Sequence, residues 1–163
     1  MPGVKIGAYY CLPTFMEKLG KPMQATAKDI LKYSNELHNI RTFMLENPSI
    51  YGIALPQIGI RLNCAVARAM YSSTTIQVWI NASYENIDKG NSWLTEEHCI
   101  SGGSVREFVR SDSIKIRYEA YTFSDRKINL SPNIYTPILN YQMASPEGRL
   151  SLFMFQHLVD HMN

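Results

Sequence analysis

The chain has 163 residues, 45% hydrophobic and 18% charged, a composition that excludes a disordered protein and suits one domain over residues 1–163. A formal charge of +2 with no basic stripe argues against direct nucleic-acid binding. No apolar run reaches the length of a membrane span. The start, Met1-Pro2-Gly3-Val4-Lys5-Ile6, has no signal-peptide pattern, and three cysteines without framework spacing fit a reducing compartment. A soluble, cytoplasmic, monomeric protein is expected.

Residues 1–24 read as irregular, punctuated by Pro2, Gly7, Pro13, Gly20 and Pro22. A helix is then predicted from Thr26, an N-cap with Asp29 three residues on. Ile30, Leu37, Ile40 and Met44 form its buried stripe, and Asn47-Pro48 ends it. His38 lies mid-helix and is expected to be solvated or capped. Gly52 to Gly59 is a Gly/Pro loop, unusually apolar, that carries one amide, Gln57. A buried amide must find partners, so Gln57 either ties the loop down or points at a ligand. Strands are predicted over Leu62–Ala67, Thr75–Ile80 and Ile114–Tyr121, with strand fragments and turns from Asp125 to Pro146. Ser145-Pro146-Glu147 begins a last helix, coated by Leu152, Phe153, Phe155, Val159 and Met162. Helix, strands, then a helix on the sheet make an α+β fold, with mostly antiparallel strands around the C-terminal helix. Cys11, Cys64, Trp79 and Trp93 read as packing residues. The methionines read as gap fillers, one or two of them suited to line a pocket for a methionine side chain.

The last helix holds Gln156-His157-Leu158-Val159-Asp160-His161. Histidines four residues apart share one helix face, and both imidazoles can reach one metal ion, as in His-Glu-x-x-His hydrolases. Histidines at a polar helix edge would look the same. Cys99, in Glu97-His98-Cys99-Ile100-Ser101, favours the metal, since a thiolate with two imidazoles suits zinc or ferrous iron. The position after His157 is Leu158, where that motif has its general base.

Three segments in this order resemble the peptide deformylase family. Ile50-Tyr51-Gly52-Ile53-Ala54-Leu55-Pro56-Gln57 is similar to its Gly-φ-Gly-φ-Ala-Ala-Pro-Gln-like loop. Glu97-His98-Cys99-Ile100-Ser101 is similar to Glu-Gly-Cys-Leu-Ser, and Gln156 to Met162 to Gln-His-Glu-x-Asp-His-Leu. Asn81, Arg106 or Arg110, and Ile114-Lys115-Ile116 add to the likeness. The resemblance implies a peptide deformylase fold and a metal-dependent hydrolase that removes the N-formyl group from the initiator methionine of nascent peptides, with the formyl-methionyl peptide as partner, possible on the ribosome. It implies Cys99, His157 and His161 as metal ligands with water as the fourth, iron as Fe(II) expected, and zinc or nickel (Zn(II), Ni(II)) as alternatives. It implies Gln57 and the backbone N–H of Ile100 as donors to the formyl oxygen, Gly52 and Ile53 as substrate-contacting loop residues, and His98 beside the substrate channel. Glu97 would reach the ligand shell through an arginine, and Asp160 would point away from the metal.

The chain departs from the pattern at Ile50 and Leu55, at His98 in place of glycine, and at Ser101-Gly102-Gly103, where an apolar-Pro continuation is usual. It stops at Asn163, where most family members continue, which fits either missing residues or a minimal form such as phages carry; host cytoplasm would be the setting of a phage-encoded chain, and an organelle is the other alternative to a cell's own cytoplasm. The largest departure is Leu158 at the position of the catalytic Glu, which a repurposed deformylase and one with a deliberately replaced base would both show. Leucine can neither take nor give a proton, and general acid–base catalysis is worth about 10²–10⁴ in rate. The expectation is an impaired deformylase; the alternative is a catalytically weak, metal-containing binder of formyl-methionyl peptides. A zinc endopeptidase fits less well, because a cysteine ligand upstream of the helix is not that pattern.

Overall fold

The computed structural model describes residues 4–6, 9–11, 21–69, 74–87, 92–98, 105–141 and 146–163. Cys99, Ile100 and the Ser101-Gly102-Gly103 rim lie outside the described residues. A hairpin of β1 (Val4–Ile6) and β2 (Tyr9–Cys11) opens the chain, which corrects the expectation of irregular structure over 1–24. Three-residue strands are too short to show a periodicity, yet β-branched and aromatic residues favour them.

The predicted long helix is split at Tyr33 into α1 (Ala27–Lys32) and α2 (Ser34–Glu46). Ser34 and Asn35, weak helix-interior residues, follow the break. The start is as expected: the Asp29 carboxylate accepts the Thr26 N–H at 2.8 Å. Ile30, Leu37, Ile40 and Met44 are all buried. His38 is half-buried rather than solvated: it meets the Phe123 ring edge-on, and its Nε2 is buried with no hydrogen-bond partner among the described residues.

The predicted loop at Gly52 begins as a strand, β3 (Gly52–Ala54), and turns through a 3₁₀ segment, Leu55–Ile58. Gly59 closes it at φ 90°, where only glycine is unstrained. β4 (Cys64–Arg68), β5 (Ile76–Asn86), the hairpin β6 (Ser92–His98) and β7 (Val105–Ser111), and β8 (Ser113–Ser124) follow. Short strands β9 (Lys127–Ile128), β10 (Asn133–Tyr135) and β11 (Ile138–Asn140) pair with β8, and α3 (Pro146–Met162) ends the chain. Among the described residues the main sheet runs β10-β8-β5-β4-β3 with antiparallel pairing, and β3 is an edge.

Both faces of this sheet are covered, so its central strands are apolar throughout rather than alternating. Cys64, Val66, Val78 and Ile80 join α1 and α2 on one face. Ala54, Ala65, Ala67, Trp79 and Ala82 join Leu152, Phe155, Leu158, Val159 and Met162 of α3 on the other. The β3 and β4 members of this second layer, Ala54, Ala65 and Ala67, are all alanine, so α3 can seat closely on β3 and β4. Burial pushes the Cys64 thiol up, out of the reactive range, so Cys64 is a packing residue.

β5 carries a bulge between Ile80 and Ser83. Asn81 sits there at φ 53°, a conformation asparagine tolerates better than most residues. Its amide accepts from the Ala25 N–H and donates to the Ala25 carbonyl, at 2.8 and 2.9 Å, and so sews the chain before α1 to the sheet. Asn63 binds both backbone groups of Ala82 and the Asn163 side chain, which fixes the end of α3 over the bulge.

Candidate metal centre and active site

α3 buries one face and offers the other to β6 and β7. The Gln156 amide is the docking clamp: its Oε1 accepts the Ser111 N–H at 2.9 Å and its Nε2 donates to the Ser111 carbonyl at 2.8 Å. One residue on, His157 and His161 come together with Nε2 to Nε2 at 3.1 Å. Two nitrogens about 2.0–2.1 Å from one tetrahedral ion would lie about 3.3 Å apart, so the pair is spaced as a chelate.

Glu97 sets the tautomer. Its Oε1 lies 2.6 Å from His157 Nδ1. Burial would raise the Glu97 carboxyl, but hydrogen bonds from His157, Arg110 and Thr95 outweigh it and hold the group at about 2. An ionised carboxylate accepts a proton, so Nδ1 carries the hydrogen and Nε2 keeps its lone pair toward His161. Arg110 in turn donates to Glu97 through Nε at 2.9 Å and Nη2 at 2.8 Å, and to Asp160 through Nη1 at 2.6 Å. Tyr84 closes the series, its hydroxyl donating to Asp160 Oδ1 at 2.9 Å. Two carboxylates against one guanidinium leave a negative charge beneath the histidines, which favours a bound cation.

Glu97 thus touches His157 directly, with the arginine beyond it, where the sequence reading put the arginine between. Asp160 points away from the histidine pair, as its helix position requires. Of the two candidate arginines, Arg110 is in the network; the side chain of Arg106 lies outside the described residues. Tyr84 and Thr95 were missed: a tyrosine late in one strand and a threonine in another give no motif. Among the described residues no group of three metal-binding side chains is assembled. Cys99 follows His98, the last residue of β6, and stands two residues from Glu97; the side chain of His98 lies outside the described residues.

Gln57 is buried, and its Oε1 accepts the Ala54 N–H at 2.9 Å. A backbone N–H can only donate, so the amide is oriented with its N–H groups on the far side. Tyr51 accepts from the Arg68 N–H, and alternation along the pair then turns the N–H and C=O of Gly52 and Ala54 away from β4. The Ile53 side chain goes into the α1–α2 core, and by the same alternation its N–H and C=O face Val66 of β4, so neither is turned outward as the expected substrate contact requires. Leu158 is 3% exposed, and a Cβ placed on Gly52 would stand 2.8 Å from its Cδ2 and 3.1 Å from the Val66 carbonyl oxygen. Gly52→Ala therefore overpacks this seam and is expected to cost about 1–3 kcal/mol. Denaturant unfolding of Gly52→Ala, Leu158→Ala and the double variant reads this, and a smaller cost of Gly52→Ala in the Leu158→Ala background marks the Leu158 contact as the cause.

A sequence model of the polypeptide deformylase family matches residues 13–163. The chain belongs to this family. Its fold is shared with the peptide deformylase of Thermotoga maritima at 23% identity and TM-score 0.65, covering 95% of this chain and 91% of that one. A probable peptide deformylase from Synechococcus phage S-SSM7 matches at 16% identity and TM-score 0.65, covering 95% and 94%. The class I type b peptide deformylase of Acinetobacter baumannii, solved with actinonin, matches at 19% identity and TM-score 0.58, covering 100% and 92%. No curated protein sequence matches the chain. Membership makes the chain, by family, a metal-dependent hydrolase of protein biosynthesis that acts on formylated nascent peptides. The family's fold is the α+β arrangement described above, and no helix among the described residues is long and apolar enough to cross a membrane.

Proposed function

We propose that this deformylase family member holds one divalent metal on Cys99, His157 and His161 and removes the formyl group from formyl-methionyl peptides slowly, because residue 158 cannot move a proton. The facing Nε2 atoms of His157 and His161, with Nδ1 of His157 on Glu97, carry this reading. The donor set is one thiolate and two imidazoles, which suits Fe(II) first and Zn(II) or Ni(II) as alternatives. A bound divalent ion supplies Lewis-acid polarisation and lowers the pKa of water.

The chain's own residues bind and orient. The outward N–H and C=O of Gly52 at the β3 edge are placed to pair with an extended peptide, and Ile53 follows it in the strand with its own N–H and C=O turned to β4. Gln57 Nε2 is the proposed side-chain donor to the formyl oxygen, with the Ile100 N–H as the second donor. His98 stands at the channel. Residues 1–163 act as one monomeric domain in the cytoplasm of a cell or an infected host, on free or ribosome-held nascent chains.

The buried Leu158 favours a second reading, a metal-containing binder that keeps formyl-methionyl peptides and turns them over poorly. Measuring binding and turnover of one peptide separates the two. Metal content should be near one per chain and should be lost in Cys99→Ala; a variant that keeps its metal would remove Cys99 from the ligand set.

A further inference from the structure

The network beneath His157 has one weak member. The side chains of Arg110 and Glu97 are 4% and 3% exposed, whereas that of Asp160 is 51% exposed. A half-exposed carboxylate on a helix surface exchanges between rotamers and water unless something holds it. Without a fixed Asp160, Arg110 would have an anchor at one end only, although its guanidinium lies over the Phe108 ring at 4.6 Å and Phe108 meets His157 edge-on.

Tyr84 supplies the hold. It lies past the β5 bulge, with its ring edge-on to Phe155, so its hydroxyl comes from a fixed strand rather than from α3 itself. Burial and then the Asp160 charge push that hydroxyl up to about 12, and it stays a donor throughout the neutral range. The hydroxyl proton goes to Asp160 Oδ1, and Oδ2 is left for Arg110.

We propose that Tyr84 is a positioning residue for His157: by fixing Asp160 it fixes Arg110 and Glu97, and so holds the imidazole with Nδ1 protonated and the Nε2 lone pair facing His161. This rests on the reading of His157 as a metal ligand. It adds a residue two hydrogen-bonded partners beyond Glu97, on a different strand.

Tyr84→Phe removes the hydroxyl and keeps the ring. Two measurements on the full chain test it: zinc affinity by competition with a chromogenic chelator, and the imidazole ¹⁵N spectrum of the metal-free protein. Removing a partner of a ligating histidine costs about 10–100-fold in metal affinity, and a more distant link belongs at the lower end, about 10-fold. We expect that loss together with a His157 spectrum shifted from one tautomer toward a mixture, at unchanged thermal midpoint. Zinc affinity within about twofold and an unchanged imidazole spectrum would overturn the proposal. Should Tyr84→Phe fail to fold, Asp160→Ala removes the carboxylate that joins Tyr84 to Arg110 and is read by the same two outcomes. If the chain as given binds no zinc, the ligand reading fails, and the metal-free spectrum still decides on Tyr84.

Discussion

Replacing Leu158 with glutamate should raise deformylation of a formyl-Met-Ala-Ser peptide by about 10²–10⁴ over the chain as given, with both proteins loaded with iron or nickel under anaerobic conditions. The geometry supports this beyond the motif. Leu158 Cδ2 reaches the β3 edge at Gly52, and a glutamate on the same rotamer would carry its oxygens one bond further, beside the outward backbone groups of Gly52. That is where a proton must move if the peptide pairs with this edge. The same exchange should lower stability, because residue 158 belongs to the apolar layer of Trp79, Phe155 and the strand alanines. Activity and stability moving in opposite directions would mark a true replacement of the base. If the chain as given is already fast, another group moves the proton, and His98 becomes the first residue to replace.

Arg110→Met should destabilise the fold by about 3–5 kcal/mol, because it leaves the Glu97 carboxylate buried without its cationic partner. For a chain of this size that is a fall of about 6–20 °C in thermal midpoint. Glu97→Gln in the same chain should recover part of the loss by removing the orphaned charge. Calorimetry of the two variants reads both effects. A single variant within about 1 kcal/mol of the parent would mean that water reaches this network and that it does little to hold β7 against α3.

The elements legible in the sequence were those with a single task. Ile30, Leu37, Ile40 and Met44 gave the helical stripe, and Ile114 and Ile116 gave β8, because burial alone chose them. The family emerged from three short segments for a chemical reason: few residue types can bind metal or approach a peptide backbone. The β6–β7 hairpin was not legible. Its inward positions hold Thr95, Glu97 and Arg110, so the period-two apolar signal of a strand is replaced by charge. The same substitution of network for core hid Tyr84. The break at Tyr33 was hidden because apolar periodicity continues across it, and the β3 edge was hidden among glycine and proline signals that read as a turn. For Gln57 the sequence allows both tying the loop and meeting a ligand, because an amide carries an acceptor and donors; its Oε1 ties the loop at the Ala54 N–H.

The alanine layer under α3 has a further consequence. His157 and His161 ride on one helix, so their mutual spacing belongs to α3 alone. How closely they lie over the main sheet depends on Ala54, Ala65 and Ala67, which share its α3-facing layer. A larger residue there would lift both imidazoles together, keeping the pair intact while detuning its distance to Glu97. The floor of the sheet acts as a shim: methyl groups outside the hydrogen-bonded network set the width of the gap that the chemistry has to span.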